Sequence, residues 1–228
     1  MLHKLHSQLT VLLRRTRLKN HTFSIISNTC IGGVITHSVG ERFRSPTVNL
    51  VIYEEDFLTF CENLQAYSRC PLVPADPELQ ERMGYPVGLL LGAGEQLPDI
   101  TVYFVHYKTF EEARDTWVKR FARVNYEDLY FLMDRGMDAR EEILDRFHAL
   151  PYPHKVFFTH REDPRRWPCT FRLSYYTPER YRTAYMYTFL RKGLLTYRVL
   201  DEFDCVHWLN TGGIRRSSLF SEPKEASS

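Results

Sequence analysis

The feature that most narrows the fold is a junction near the start of the chain. Phe23-Ser24-Ile25-Ile26-Ser27 reads as a short buried strand, because a short run of aromatic and β-branched residues ended by turn residues suits a strand. Asn28-Thr29-Cys30-Ile31-Gly32-Gly33 breaks it sharply, and Val34 to Val39 continue as a helix. A strand, a tight polar turn and a helix in succession open an α/β domain.

The rest of the chain continues that alternation. A second strand is expected at Thr47 to Tyr53, then a helix with Glu54-Glu55-Asp56 in its first turn and a stripe of Phe57, Phe60, Cys61, Leu64 and Tyr67. Early acidic residues complement the positive end of a helix dipole. Residues Arg69 to Pro86 hold four prolines and read as an irregular connection. Val87 to Leu91 and Ile100 to Tyr107 are strands separated by a glycine-rich turn. Thr109 and Glu112 form a capping box for a helix over Phe110 to Arg123, whose stripe is Phe110, Ala113, Trp117, Phe121 and Val124. Leu129 to Met133 is a strand, Asp138 and Glu141 cap a helix that stops at Pro151, and Lys155 to Thr159 is another strand. Thr177-Pro178 opens a helix through Lys192, closed by Gly193. Leu194 to Leu200 is strand-like, and Phe203 to Leu209 closes the domain.

This order predicts an α/β fold with a mostly parallel sheet and helices on both faces, Rossmann-like and three-layered. The expected organisation is a basic amphipathic helix over 1–20, one α/β domain over 21–210 and a mobile tail over 211–228. Leu2, Leu5, Leu9, Leu12 and Leu13 recur at helical spacing in the first segment, among Lys4, Arg14, Arg15, Arg17 and Lys19. Such a helix can lie against anionic lipid or pack on the domain.

Composition excludes several classes. A formal net charge of +2 does not give the broad positive field of a nonspecific nucleic-acid binder. The five cysteines are scattered without a CxxC pair, which suits free thiols in a reducing compartment and points to the cytoplasm. No P-loop, GxSxG, GxGxxG or HExxH appears, and no metal motif is legible.

In an open parallel sheet ligands bind beyond the carboxyl ends of the strands. That rule selects Ser27 to Gly33, Tyr53 to Asp56, His106-Tyr107-Lys108, Asp134-Arg135-Gly136 and Thr159-His160-Arg161. In the first turn Ser27, Asn28, Gly32 and Gly33 can cradle an anion at a helix start. Cys30 there can be a nucleophile if the helix end lowers its pKa; otherwise it fills a small buried space while the glycines let helix pack on strand. His106, ending a strand, suits a general base or a histidine that merely bonds its own turn. Arg120 and Arg123 can clamp a phosphate, with Asn125 beside them, or form part of a solvated face with Arg114 and Lys119.

Four segments, Phe23 to Gly33, Val105-His106-Tyr107-Lys108-Thr109, Trp117 to Asn125 and Phe203 to Asn210, taken in order, resemble an uncharacterised bacterial family, domain of unknown function 1919. Its members are often labelled exopolysaccharide or capsule biosynthesis proteins. The chain departs from the family pattern at Thr29, where a second Asn is usual, and at Ile31, where an aromatic is usual. The resemblance implies a role in surface-polysaccharide assembly and brings no catalytic residues. The Asn-Cys turn is also similar to a capsule enzyme type linked to coenzyme A and acyl transfer.

The leading expectation is a cytoplasmic transferase, in the narrower reading a glycosyltransferase, of cell-surface polysaccharide assembly. Its substrate is a small molecule or saccharide and its donor a sugar nucleotide or acyl-coenzyme A; no nucleic acid is expected. The alternatives are an acyltransferase or hydrolase using Cys30 or His106, and a non-catalytic scaffold or regulator that binds a partner through Tyr175 to Tyr187.

Overall fold

In chain order the elements are α1 (Leu2–Arg17), β1 (Ser24–Ser27), α2 (Ile31–Ser38), α3 (Glu54–Glu62), α4 (Leu64–Tyr67), β2 (Leu72–Pro74), α5 (Pro77–Met83), β3 (Val87–Leu90), β4 (Ile100–Tyr103), α6 (Phe110–Phe121), β5 (Leu129–Gly136), α7 (Glu141–Ala149), β6 (His154–Thr159), β7 (Thr170–Arg172), β8 (Phe189–Lys192), β9 (Leu195–Arg198) and α8 (Cys205–Thr211). They come from a computed structural model that describes residues 2–136, 140–159, 163–173, 189–192 and 195–218.

A parallel sheet in the order β1-β5-β6-β7 forms the centre. Its central strand β5 buries apolar side chains on both faces. On β5, Tyr130 and Leu132 join one buried cluster with Ile25, Phe158, Ile31, Ile35 and Trp208, which α2 and α8 complete. Phe131 and Met133, one step along the pleat, join the other with Ile26, Phe157, Phe57, Trp117 and Phe147 from β1, β6, α3, α6 and α7. Helical residues therefore cover both faces of the sheet. Full burial of each such Phe or Leu contributes about 1.5–3 kcal/mol. Stacking of Phe131 on Tyr152, with centroids 3.9 Å apart, adds a specific contact to the second cluster.

Several expectations need correction. The strands at 87–90 and 100–103 do not extend the parallel sheet. With β2 they make a separate antiparallel sheet in the order β2-β3-β4, because the nine-residue, glycine-containing loop 91–99 folds β4 back on β3. The stretch from 69 to 86 is not irregular: it holds β2 and α5. Asp76 caps α5 by accepting from the Glu78 N–H at 2.7 Å, Pro77 occupies its first turn, and Gly84 ends it at φ 73°, the sequence signature of helix ends. Thr47 to Tyr53 is not a strand. It is an irregular segment, bent at Val48 and Asn49, that carries one bridge, Val51 to Tyr103, and the Ile52 N–H donates to the Asn28 carbonyl at 2.9 Å. It thereby ties the small sheet to the end of β1.

Residues 189–192 do not end a helix but pair antiparallel with 195–198; the rest of the expected helix from Thr177 lies outside the described residues, as do Asp138, His160 and Tyr175 to Tyr187. At Thr109 the hydroxyl half of the predicted box is made, accepting from the Glu112 N–H at 3.2 Å. Within the segment expected as a tail, residues up to 218 make contacts with the domain. Arg216 pairs with the buried Glu202 at 2.5 Å, Arg215 with Asp204 at 2.7 Å, and Phe203 bridges Arg216.

The strand order follows the chain without reversal, so β1 is an edge strand among the described strands. A Rossmann-like crevice arises where the order reverses. The four parallel strands contain no such point.

Candidate functional site

Most polar groups of the Ser27 to Gly33 turn are engaged by the protein itself. The buried Ser27 hydroxyl donates to the Thr29 carbonyl at 2.7 Å and accepts from the Gly32 N–H at 3.1 Å. The side chain of Asn28 bonds both backbone groups of Asp134, donating at 3.0 Å and accepting at 2.8 Å. A β-carbon on Gly32 would lie 2.5 Å from the Ser27 Oγ, and one on Gly33 2.8 Å from Val48. Both glycines thus serve close packing of α2 on β1 and on the 47–50 segment.

Cys30 sits ahead of α2, and its thiol donates to the Leu50 carbonyl at 3.8 Å. Burial pushes the thiol up from its ordinary pKa, outweighing its hydrogen bonds. This is the reverse of the lowered value a nucleophilic helix-start cysteine needs. We expect iodoacetamide at neutral pH to modify Cys30 no faster than the thiols of the urea-unfolded chain. Labelling of Cys30 well ahead of the other four cysteines, followed by mass spectrometry, would restore the nucleophile reading.

Arg120 and Arg123 converge on the 41–50 segment. Asn49 adopts φ 65°, a left-handed conformation that Asn tolerates better than most side chains. On either side of it, Val48 and Leu50 present their carbonyls. Val48 accepts from the Tyr107 hydroxyl at 3.2 Å and from Arg120 Nη1 at 3.2 Å. Arg120 Nη1 also donates to the Tyr107 oxygen at 2.7 Å, and its guanidinium lies 5.1 Å above the Phe43 ring. His106 is exposed, one residue from this link. Asn125 lies apart, at the amino end of β1. Its backbone N–H donates to the Ser24 hydroxyl at 2.9 Å and its amide to the Thr22 carbonyl at 3.2 Å.

Arg120 and Arg123 do share a site. With His37, Arg42, Phe43, Thr116 and Lys119, and with Glu41, they line a cavity of ≈ 400 Å³. Thr116, Lys119, Arg120 and Arg123 follow the i, i+3, i+4, i+7 spacing that puts side chains on one face of α6. The opposite wall is the loop after α2. Arg123 donates to the Phe43 carbonyl there at 3.4 Å, and its pKa is pushed down by desolvation and by Arg42 and Arg120. The one carboxylate of the cavity, Glu41, is engaged by His21 at 2.7 Å and Arg44 at 3.7 Å. Among the described residues no carboxylate pairs with Arg42, Lys119, Arg120 or Arg123.

Cations in the last turn of a helix offset its dipole, which accounts for Lys119 and Arg120 individually. It does not account for Arg42, which faces them from another element. Crowded like charges are unfavourable, and an anion relieves them. The arrangement can therefore bind a phosphate, sulfate or carboxylate group. Sequence reasoning found the α6 half of this cavity and missed the 41–43 half. The signal available was Arg42 between Glu41 and Phe43, but nothing in the sequence pairs it with α6.

Among the described residues no group of three or more His, Cys, Asp or Glu is placed to hold a metal ion, and no helix is long and apolar enough to cross a membrane. A sequence profile described as "Domain of unknown function (DUF1919)" matches residues 1–210. A protein of Haemophilus influenzae (strain ATCC 51907 / DSM 11121 / KW20 / Rd), printed as "Uncharacterized protein", is 30% identical over 197 residues, covering 85% of this chain and 87% of that one.

Proposed function

The chain belongs to the DUF1919 family, and on that premise we propose that it is a transferase whose donor carries phosphate, acting in the assembly of a cell-surface polysaccharide. The observation that carries the donor class is the cavity of Arg42, Lys119, Arg120 and Arg123, which lacks a paired carboxylate of its own. The polysaccharide context rests on the resemblance alone.

In this reading the guanidinium groups hold the donor's phosphates by charge-assisted hydrogen bonds, bidentate where the fork permits. The same groups steady negative charge as it develops on the departing phosphate. Exposed His106, next to the Tyr107–Arg120 link, takes the proton of the acceptor hydroxyl. A sugar nucleotide satisfies the site through its diphosphate. Acyl-coenzyme A can do so through its phosphates too, but the raised pKa of Cys30 gives thiol-mediated acyl transfer no support.

Thermal denaturation against phosphate, pyrophosphate, nucleoside diphosphates, sugar nucleotides and acyl-coenzyme A tests this. A ligand at a hundred times its Kd adds about 2.7 kcal/mol to stability, roughly 5–10 °C for a domain of this size. Phosphate-bearing compounds are expected to raise the midpoint and phosphate-free saccharides alone are not. Absence of any shift at millimolar concentration would sink the donor reading. With the donor identified, His106→Ala should abolish turnover and leave the ligand shift intact; full turnover would remove His106 from the mechanism.

A further inference from the structure

Helix α1 presents a surface that the phosphate cavity does not explain. Its inner side is set by contacts with the domain. Val11 and Arg15 crowd Gly40, where a β-carbon would lie 3.3 Å from each side chain. Arg14 pairs with Asp201 at 2.8 Å, and Leu18 is buried. These positions, 11, 14, 15 and 18, share one helical face. Leu12 and Leu13 fall outside it, 58% and 56% exposed. Two adjacent leucines so exposed are costly to keep in water.

Their surroundings indicate what covers them. The 16 residues of α1 contain no Asp or Glu. Arg15 and Arg17 are exposed on the helix, and exposed Lys19 follows it. Nearby carboxylates are already engaged, Asp201 by Arg14 and Glu41 by His21 and Arg44. A second copy of this helix would set the same cations against each other. An anionic lipid surface offers both what the leucines need, an apolar layer, and what the cations need, phosphate.

We propose that α1 docks the protein on anionic bilayers, Leu12 and Leu13 entering below the headgroups while Arg17 and Lys19 meet lipid phosphates. A helix with an apolar edge and basic flanks binds in the interfacial plane without spanning it. Gly40, packed on the inner side of α1, is followed at once by Glu41, Arg42 and Phe43 of the cavity wall, so docking leaves the cavity rim one helix diameter, roughly 10 Å, from the membrane surface. The inference stands without the donor reading, since neither exposed leucine lines the cavity.

Flotation of the full chain with phosphatidylcholine vesicles, and with vesicles holding roughly one-third phosphatidylglycerol, tests it. Partition onto the anionic vesicles is expected to be at least about tenfold stronger and to weaken with added salt. Leu12→Glu/Leu13→Glu should abolish flotation without lowering the thermal midpoint, since both side chains are exposed. Arg17→Glu/Lys19→Glu should remove the preference for anionic lipid. Equal binding to both vesicle types, no binding to either, or flotation untouched by both double variants would overturn the proposal. So would a concentration-dependent dimer, seen by sedimentation equilibrium, that Leu12→Glu/Leu13→Glu dissolves: that result gives the face to a second copy.

Discussion

Arg120→Ala is expected to remove most of the thermal stabilisation that phosphate-bearing ligands confer, and Arg120→Lys to restore only part of it. A guanidinium has five N–H donors in a fixed fork. One nitrogen of Arg120 is spent on the Val48 carbonyl and the Tyr107 hydroxyl, and Phe43 lies under the group. These contacts hold it still, so a ligand meets an oriented fork at small entropic cost. Lysine keeps the charge but not the fork.

Truncating one partner of a hydrogen-bonded charge pair costs about 2–4 kcal/mol, roughly 30- to 1,000-fold in Kd. The unliganded protein should also lose about 1 kcal/mol, because Val48 and Tyr107 lose a donor. The quantity to compare is therefore the ligand-induced shift in each variant, checked by calorimetric titration with pyrophosphate. An Arg120→Ala protein that binds within twofold of the parent would remove this cavity from donor recognition. Arg123→Ala is the companion: its guanidinium is crowded by Arg42 and Arg120, so it too should bind an incoming anion.

The cavity also marks where sequence reasoning stops. Apolar runs such as Ile25-Ile26, Tyr130-Phe131-Leu132-Met133 and Val156-Phe157-Phe158 were legible as buried strands, because only a strand covered on both faces stays apolar at every position. Helix α6 was legible from its stripe and its Thr109 cap. Pairing was not. Whether 87–90 and 100–103 join the parallel sheet or fold on each other depends on a turn and on a third strand around Val73, none of which alters the local pattern. Arg123 and Phe43 stand 80 positions apart, so no local spacing could place Arg42 opposite Lys119. Polar turn residues pose a different problem. Ser27 and Asn28 have the composition of a ligand cradle and of a backbone latch alike, and only their partners separate the two.

Those partners make Asn28 the sharpest test of that distinction. Its side chain is buried, and it satisfies the Asp134 N–H and carbonyl together. Its own backbone donates to Leu132 and accepts from Ile52. One residue thus fastens β1, β5 and the 47–53 segment at their common end. Asn28→Ala leaves both Asp134 backbone groups without this partner. At about 1–3 kcal/mol for each buried group left unmade, and with Asp134 half-buried so that water recovers part of the loss, the expected cost is about 2–3 kcal/mol. That lowers the midpoint by roughly 5–10 °C.

Asn28→Asp sharpens the test through pH. The introduced carboxylate can still accept from the Asp134 N–H, but it faces the Asp134 carbonyl with no proton to donate, in a buried site. Burial and that acceptor favour its neutral form, so its pKa rises on folding. The folded state then holds a proton that the unfolded chain releases first, and stability is lost as pH rises through the raised value. Urea denaturation at neutral and mildly acidic pH should find Asn28→Asp at least as unstable as Asn28→Ala at the higher pH and closer to the parent at the lower one. An Asn28→Ala protein with the parental midpoint but no ligand shift would reverse the assignment: the side chain would be contributing to binding, and the turn after β1 would return as part of the donor site.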